Sequence, residues 1–362
     1  MSLFSCPNEL ISEIAGYLDS YSLKNLIETD NNRTFLYPVL FPVLWSKIEI
    51  ELGKGSHLFW AAMGGFEEWT TIFLDNHIEV NARTGDRIRP TALHVAAYYG
   101  HDGVAKLLLT RGADIEAEST RGNPLYLATS TGHESMVRLL LERGAKVDSR
   151  VILGAENITP LHQAAAYGYN PVIEVFLEYG IDINVRGSHP PHATTALHSA
   201  VFYRQLATVG LLLRRGADPN IQGTNGITPL NIAVYYHGVS CDNISTSILS
   251  LLLEHGADTG VWDGRGTPLY WAAEAGNVEM VRLLVQNGSN VNLQDCWKGH
   301  GTPLHGAVGG GNLEVVKVLL ESGADTGIKR RDGKTALLAA LETGHGEIIR
   351  LLTARTEMAA SG

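Results

Sequence analysis

The sequence predicts an all-α helical solenoid, in which about nine helix-turn-helix repeats with short β-turn fingers stack behind a small N-terminal helical segment. Three features carry this expectation. A pattern of eleven residues recurs eight times, a leucine-rich second half follows it, and a glycine recurs at a fixed place after the halves.

The copies start at Thr91, Asn123, Thr159, Thr195, Thr228, Thr267, Thr302 and Thr335, which spaces them 32 to 39 residues apart. The best preserved read TPLHQAAAYGY, TPLYWAAEAGN and TPLHGAVGGGN, from Thr159, Thr267 and Thr302. Self-similarity at such a period marks an array of supersecondary units. Thr or Asn at the start offers a side-chain oxygen to the orphan N–H groups of a first helix, and Pro, where present, takes the first helical position. The second half, as in KLLLTRGAD ending at Asp114 or KVLLESGAD ending at Asp325, reads as a second helix. Gly112, Gly144, Gly180, Gly216, Gly256, Gly288 and Gly323 follow that helix, where a left-handed residue closes the last turn.

Helices this short are marginal in water and must be stabilised by neighbours. Alanine pairs such as Ala96-Ala97, Ala164-Ala165 and Ala272-Ala273 allow close approach, and the leucines fill the space between repeats. Together these features make residues 56 to 356 resemble an ankyrin-repeat protein, with a ninth, degenerate copy at Ser56 to Asn81 and a final segment, EIIRLLTARTE, expected to face solvent. Two stretches depart from the register. SHPPHAT, from Ser188, lengthens a loop between repeats, and VSCDNISTS, from Val239, is inserted between the helices of one repeat and is expected to form a loop.

The resemblance implies that the two residues before the glycine ending each first helix face a concave groove. Here they include Tyr98, Tyr99, Tyr167, Phe202, Tyr203, Tyr235 and Tyr236, whereas the last three repeats carry no aromatic residue there. Rigid aromatic side chains on a solvent-facing surface are a partner-site signature, so a protein target in this groove is expected. The other reading is that some of the rings, Phe202 above all, pack against a neighbouring repeat. Trp271, one step after TPLY, reads as core. Fingers at Arg83 to Arg89, Arg265 and Trp297 to His300 could add polar contacts.

Residues 1–50 follow another logic, leaving 51–362 as the repeat domain. Pro7 precedes an apolar face of Leu10, Ile11, Ile14 and Leu18, and Ser22 starts a second helix with Leu23, Leu26 and Ile27. The order Pro-x-Glu-Leu, Ile14, Leu18, Ser22-Leu23, Leu26 and a closing Leu44-Trp45 resembles the F-box. That resemblance implies docking to the Skp-type linker of a cullin-RING ubiquitin ligase through Pro7, Leu10, Ile14, Leu18, Leu23 and Leu26, with the chain as a substrate-recruiting adaptor. The same residues also suit a helical cap over the first repeat, which would make the chain a scaffold or transcription co-regulator binding another regulatory protein.

Composition narrows the remaining classes. Lys and Arg number 28 against 38 Asp and Glu, a formal charge of −10 that disfavours direct nucleic-acid binding. The one basic cluster, Lys329-Arg330-Arg331 with Lys334, is interrupted by Asp332 and reads as a solvated loop or a docking patch. Cys6, Cys241 and Cys296 are widely spaced and odd in number, which suits a reducing compartment and no zinc site. No signal-like start and no long apolar run occur, so an intracellular protein, cytoplasmic or nuclear and off the membrane, is expected. His94, His162, His198 and His305 share the T-x-L-H position and read as structural, and His101, His133 and His345 follow the glycine between helices. His189 and His192 alone resemble a metal pair, and two ligands make a poor site. There is no phosphate loop, nucleophile elbow or H-E-x-x-H. No catalytic residue, cofactor or metal is expected, and the chain should be a monomer outside its complex.

Overall fold

The computed structural model describes residues 18–28, 36–52, 56–83, 88–148, 151–153, 156–187, 195–223, 226–235, 243–261, 266–294 and 301–360. The chain divides into two compact units, Met1–Leu153 and Gly154–Gly362. The first holds α1 (Ser20–Glu28) and α2 (Leu36–Leu52), then three helix pairs: α3 (His57–Gly64) with α4 (Glu67–Asp75), α5 (Ala92–Tyr99) with α6 (Asp102–Thr110), and α7 (Pro124–Ser130) with α8 (Glu134–Glu142). The second holds six pairs: α9 (Pro160–Tyr167) and α10 (Asn170–Glu178), α11 (Ala196–Phe202) and α12 (Leu206–Arg214), α13 (Pro229–Tyr235) and α14 (Asn243–Glu254), α15 (Pro268–Glu274) and α16 (Val278–Gln286), α17 (Pro303–Gly309) and α18 (Leu313–Glu321), and α19 (Ala336–Thr343) and α20 (Gly346–Ala360). Two three-residue strands, Val151–Leu153 and Glu156–Ile158, complete the described elements. No helix among the described residues is long and apolar enough to cross a membrane.

Inside each unit, first helices pack on first helices and second helices on second helices, which is the stacking the repeat pattern predicts. The starts are capped as the residue types require. Thr91 N–H donates to His94 Nδ1 at 3.0 Å, and Asn123 Oδ1 accepts the Tyr126 N–H at 2.9 Å. In the repeat that has Asn231 instead of histidine, its Oδ1 accepts the Thr228 N–H at 2.9 Å and does the same work. The alanine pairs are fully buried, and so are Leu108, Leu140, Leu212, Leu252 and Leu319. Burying a leucine side chain contributes about 1.5–3 kcal/mol, so one or two per repeat decide whether helices of seven to nine residues form at all.

Successive fingers are joined by asparagines. Asn220 donates from Nδ2 to Gly256 O at 2.9 Å and accepts the Asp258 N–H at 2.8 Å. Asn81 and Asn292 repeat both bonds one finger on, to Gly112 and Asp114 and to Gly323 and Asp325. Where that asparagine is absent, Glu116 accepts the Lys146 N–H at 2.8 Å.

The N-terminal helices lie on the first repeat within the first unit. Leu23, Leu40, Leu44 and Ile48 are fully buried, the last three spaced along one face of α2. The Trp60 indole donates to Ser20 Oγ at 2.8 Å and the Trp69 indole to Glu28 Oε1 at 3.1 Å. Phe41 stacks on Trp69 with centroids 5.9 Å apart, and Trp45 sits 3.9 Å from the His57 ring.

Three positions depart from the regular pattern. The inserted stretch from Val239 is not all loop: Asn243 onward is helical, so α14 runs twelve residues, and Ser245 and Ile248 are buried. The buried face of Ile248, Leu249 and Leu252 draws the preceding turn into the helix. In the last pair Leu338 and Leu341 of α19 are about half exposed, where the corresponding residues of earlier first helices, such as Tyr126 and Thr129, are buried. Third, the glycine ending the first helix is replaced by Arg204, which still adopts φ of 60°; the turn geometry overrides the residue's preference at a cost of about 1–2 kcal/mol.

Two outcomes test this account. Gly112 has φ of 86° and an added Cβ would meet nothing within 4 Å, whereas at Gly100 (φ 73°) it would come within 2.7 Å of His133 Nδ1. Gly112→Ala should therefore lower stability by about 1 kcal/mol through backbone strain alone, and Gly100→Ala by clearly more, as read from urea midpoints of the two variants.

The second concerns pH. Burial depresses His94 and His198 to about 4, helped at His94 by the charge of Arg83 and opposed at His198 by its bond to Ile227 O. Unfolded histidine titrates near 6.5, so between that value and about 4 the unfolded chain binds protons that the folded chain refuses. Stability is complete above the window and falls as pH drops through it. His198→Asn keeps an acceptor for the Thr195 cap, as Asn231 does, but loses the 3.2 Å bond to Ile227 O. It should cost about 1 kcal/mol at pH 7.5 and give a shallower loss of urea midpoint between pH 7 and pH 5.

Candidate protein-binding surface

The candidate residues sit where the first helix ends and the chain reverses. In the first unit, Tyr98 and Tyr99 close α5, and Gly100 follows in the left-handed conformation. The turn is held from the next repeat: His133 Nε2 lies 3.1 Å from Tyr98 O, just as His101 Nε2 lies 3.2 Å from Met63 O one repeat earlier. The two rings stand edge to face, 5.2 Å apart, and Tyr99 stacks on His101 at 6.1 Å. Their exposures, 41% and 47%, leave nearly half of each side chain for a partner.

Beside them lies a recess of about 250 Å³ between α5 and α7, with Ile88 and Pro90 of the preceding finger, Val95, and Leu127 as its apolar wall. Arg121 and Ser119 of the next finger complete the rim and His94 the floor. Arg83 is pinned nearby by bonds from Nη1 to Arg89 O at 3.2 Å and Glu118 O at 2.5 Å. Sequence reasoning missed Val95 and Arg121. Nothing in the repeat pattern distinguishes them; only the finger geometry brings them next to Tyr98.

In the second unit Tyr167 is 55% exposed and stacks on Tyr169 at 5.7 Å, and Tyr203 is 44% exposed with Phe202 edge-on at 5.2 Å. Phe202 and Tyr235 are half-buried. Tyr235 leans edge-on against Trp271 of the neighbouring repeat at 5.0 Å. Trp271, expected in the core, is itself only half-buried, standing edge-on to the rings of both Tyr235 and Tyr270. Tyr236 lies outside the described residues. The structure thus leaves Tyr98, Tyr99, Tyr167 and Tyr203 as open contacts and uses Phe202 and Tyr235 partly for packing.

Other positions of the set make their contacts within the chain. Ser130 and Thr131 return their hydroxyls to Leu127 O, and Glu342 pairs with Lys334 at 2.5 Å and Arg330 at 3.8 Å. The basic cluster is therefore partly neutralised within the last finger, since Arg330 also bonds Asp332. Of the six residues assigned to a linker, Pro7, Leu10 and Ile14 lie outside the described residues, Leu23 is fully buried, and Leu18 and Leu26 are half-buried. His189, His192, Arg265, Trp297 to His300 and the three cysteines also fall outside them. Among the described residues no group of three His, Cys, Asp or Glu side chains could hold a metal ion.

Comparison with known proteins agrees with this architecture. A family model for ankyrin repeats in three copies matches residues 23–119, 58–151, 116–187, 153–222, 197–295 and 295–360. A stretch of 63 residues is 41% identical to the ankyrin repeat and KH domain-containing protein mask of Drosophila melanogaster, covering 17% of this chain and 2% of that protein. The same identity and coverage hold for two proteins of Homo sapiens, ankyrin repeat and KH domain-containing protein 1 and ankyrin repeat domain-containing protein 17. The chain spans only about a fiftieth of the length of these relatives. The matches run from residue 23, inside α1, to residue 360 in α20, with helix pairs stacked in both units: the chain belongs to the ankyrin-repeat family.

Proposed function

We propose that this chain is a non-catalytic protein-recognition scaffold whose partners bind the tyrosine-bearing ends of its first helices. The observation that carries this reading is the exposure, between 41% and 55%, of Tyr99, Tyr167 and Tyr203 at equivalent positions of three repeats and of Tyr98 beside Tyr99. Tyrosine gives large contact area with few rotatable bonds, and such residues dominate binding hot spots. On this reading residues 51–362 are the interaction domain, residues 1–50 an accessory segment, and the chain is intracellular.

The packing of the N-terminal helices supports the cap role for that segment. Leu23, Ile27, Leu40, Leu44 and Ile48 are buried within this segment and against the first repeat, and Leu23 is thereby withdrawn from the face that would meet an external linker. The narrower reading, a substrate-recruiting adaptor of a cullin-RING ligase, rests on the F-box-like order of residues 7 to 45 and on Leu18 and Leu26, which keep part of their surface.

Tagged chain and its Tyr98→Ala/Tyr167→Ala/Tyr203→Ala variant should recover different protein partners from cell extract, with the principal ones reduced at least tenfold in the variant while its circular dichroism is unchanged. An identical partner set would remove the tyrosine surface from consideration. Purified Skp-type linker should not be retained by the immobilised chain at micromolar concentration. Retention that is lost in Leu10→Asp/Ile14→Asp would replace the cap with the adaptor.

A further inference from the structure

The recess beside Tyr98 carries a more specific reading. Its volume of about 250 Å³ is below the roughly 300–1,000 Å³ of small-molecule pockets and suits a single large side chain. Its wall is aliphatic, from Ile88, Pro90, Val95 and Leu127, and the edges of Tyr98 and Tyr99 project at its mouth. An isolated aliphatic or aromatic side chain of an extended polypeptide fits such a place better than a free metabolite does.

Charge then selects among polypeptides. The chain as a whole is acidic, at −10, yet among the described residues no carboxylate lines the recess and the one Lys or Arg in its lining is Arg121. The Arg121 guanidinium is exposed and has no ion-pair partner among the described residues. Arg83 is fixed close by through two backbone carbonyls and is near enough to His94 on the floor to disfavour a proton there. Of the described acids, Glu118 interacts with Arg83 and Asp114 acts on His94 from a distance, and neither is part of the lining. An exposed guanidinium at the rim of an apolar slot is complementary to a carboxylate placed one or two residues from an apolar anchor, since Arg presents a fork of donors that matches that group.

We infer that the recess between α5 and α7 seats one apolar side chain of an acidic partner segment, with Arg121 pairing to the adjacent carboxylate. This rests on the tyrosine surface being a protein-binding surface, and it adds the class of sequence bound there.

The test uses the full chain and two fluorescein-labelled twelve-residue peptides, each with a central Leu-Phe pair, flanked by glutamates in one and by lysines in the other. In 50 mM salt the glutamate peptide should bind at least tenfold more tightly by fluorescence polarisation, and the gap should narrow at 300 mM salt. Arg121→Glu should reverse the order, and Val95→Arg, which fills the slot, should remove glutamate-peptide binding with no change in circular dichroism. Equal affinities, preference for the lysine peptide in the wild-type chain, or no binding of either peptide at 1 mM would overturn the inference. If partner capture still depends on the tyrosines in that event, the acidic-anchor assignment falls and the binding surface stands; if the tyrosines are dispensable as well, both fall.

Discussion

Every element of this protein depends on a face that cannot exist uncovered. A helix pair of seven to nine residues each carries too few internal hydrogen bonds to offset its own ordering, so it is stable only when the next pair buries its leucines and alanines. The sequence reflects that constraint with small residues where backbones approach, leucines where gaps remain, and left-handed glycines where the chain must reverse. The histidines obey it too. In the T-x-L-H position the ring is drawn into the stack, its Nδ1 bonded to the cap threonine hydroxyl and, at His94 and His305, also accepting the cap N–H, while at His198 and His305 Nε2 reaches a carbonyl of the next finger. Neutrality of the ring is then a condition of packing, which ties stability to pH.

The repeat register was legible from residues alone because each position has one job set by local geometry. Thr91, Pro160, Gly112 and the alanine pairs announce their places without knowledge of the fold. What escaped the sequence lies where tertiary packing overrides a local rule. Arg204 adopts a glycine conformation because its neighbours fix the turn, and Asn243 joins a helix because Ile248 and Leu252 are buried beyond it. The candidate surface was legible in part. The tyrosines announced themselves by position, but their division into open and packed rings turns on contacts such as that between Tyr235 and Trp271, and the recess needs two fingers that are over thirty residues apart to come together.

The N-terminal helices show a different limit. The spacing of Leu23, Leu26 and Ile27 and of Leu40, Leu44 and Ile48 specifies amphipathic helices, but amphipathicity says only that a face will be covered. Here the cover is the aromatic cluster of Trp60, Trp69 and Phe73, with the indoles of Trp60 and Trp69 bonded to Ser20 and Glu28. Open sheets and solenoids alike must deal with their ends, and these helices close one of them.

The asparagines that join successive fingers have a chemical corollary. Asn220 and its counterparts donate and accept at once, a pairing that only an amide can make, so hydrolysis to aspartate would be almost isosteric yet would turn the donor into an anion facing a carbonyl oxygen. Spontaneous deamidation is fastest where glycine follows, and Asn81, Asn220 and Asn292 are followed by Ala82, Ile221 and Leu293 instead. The fold's polar seam is thus placed in sequence contexts that slow its chemical ageing.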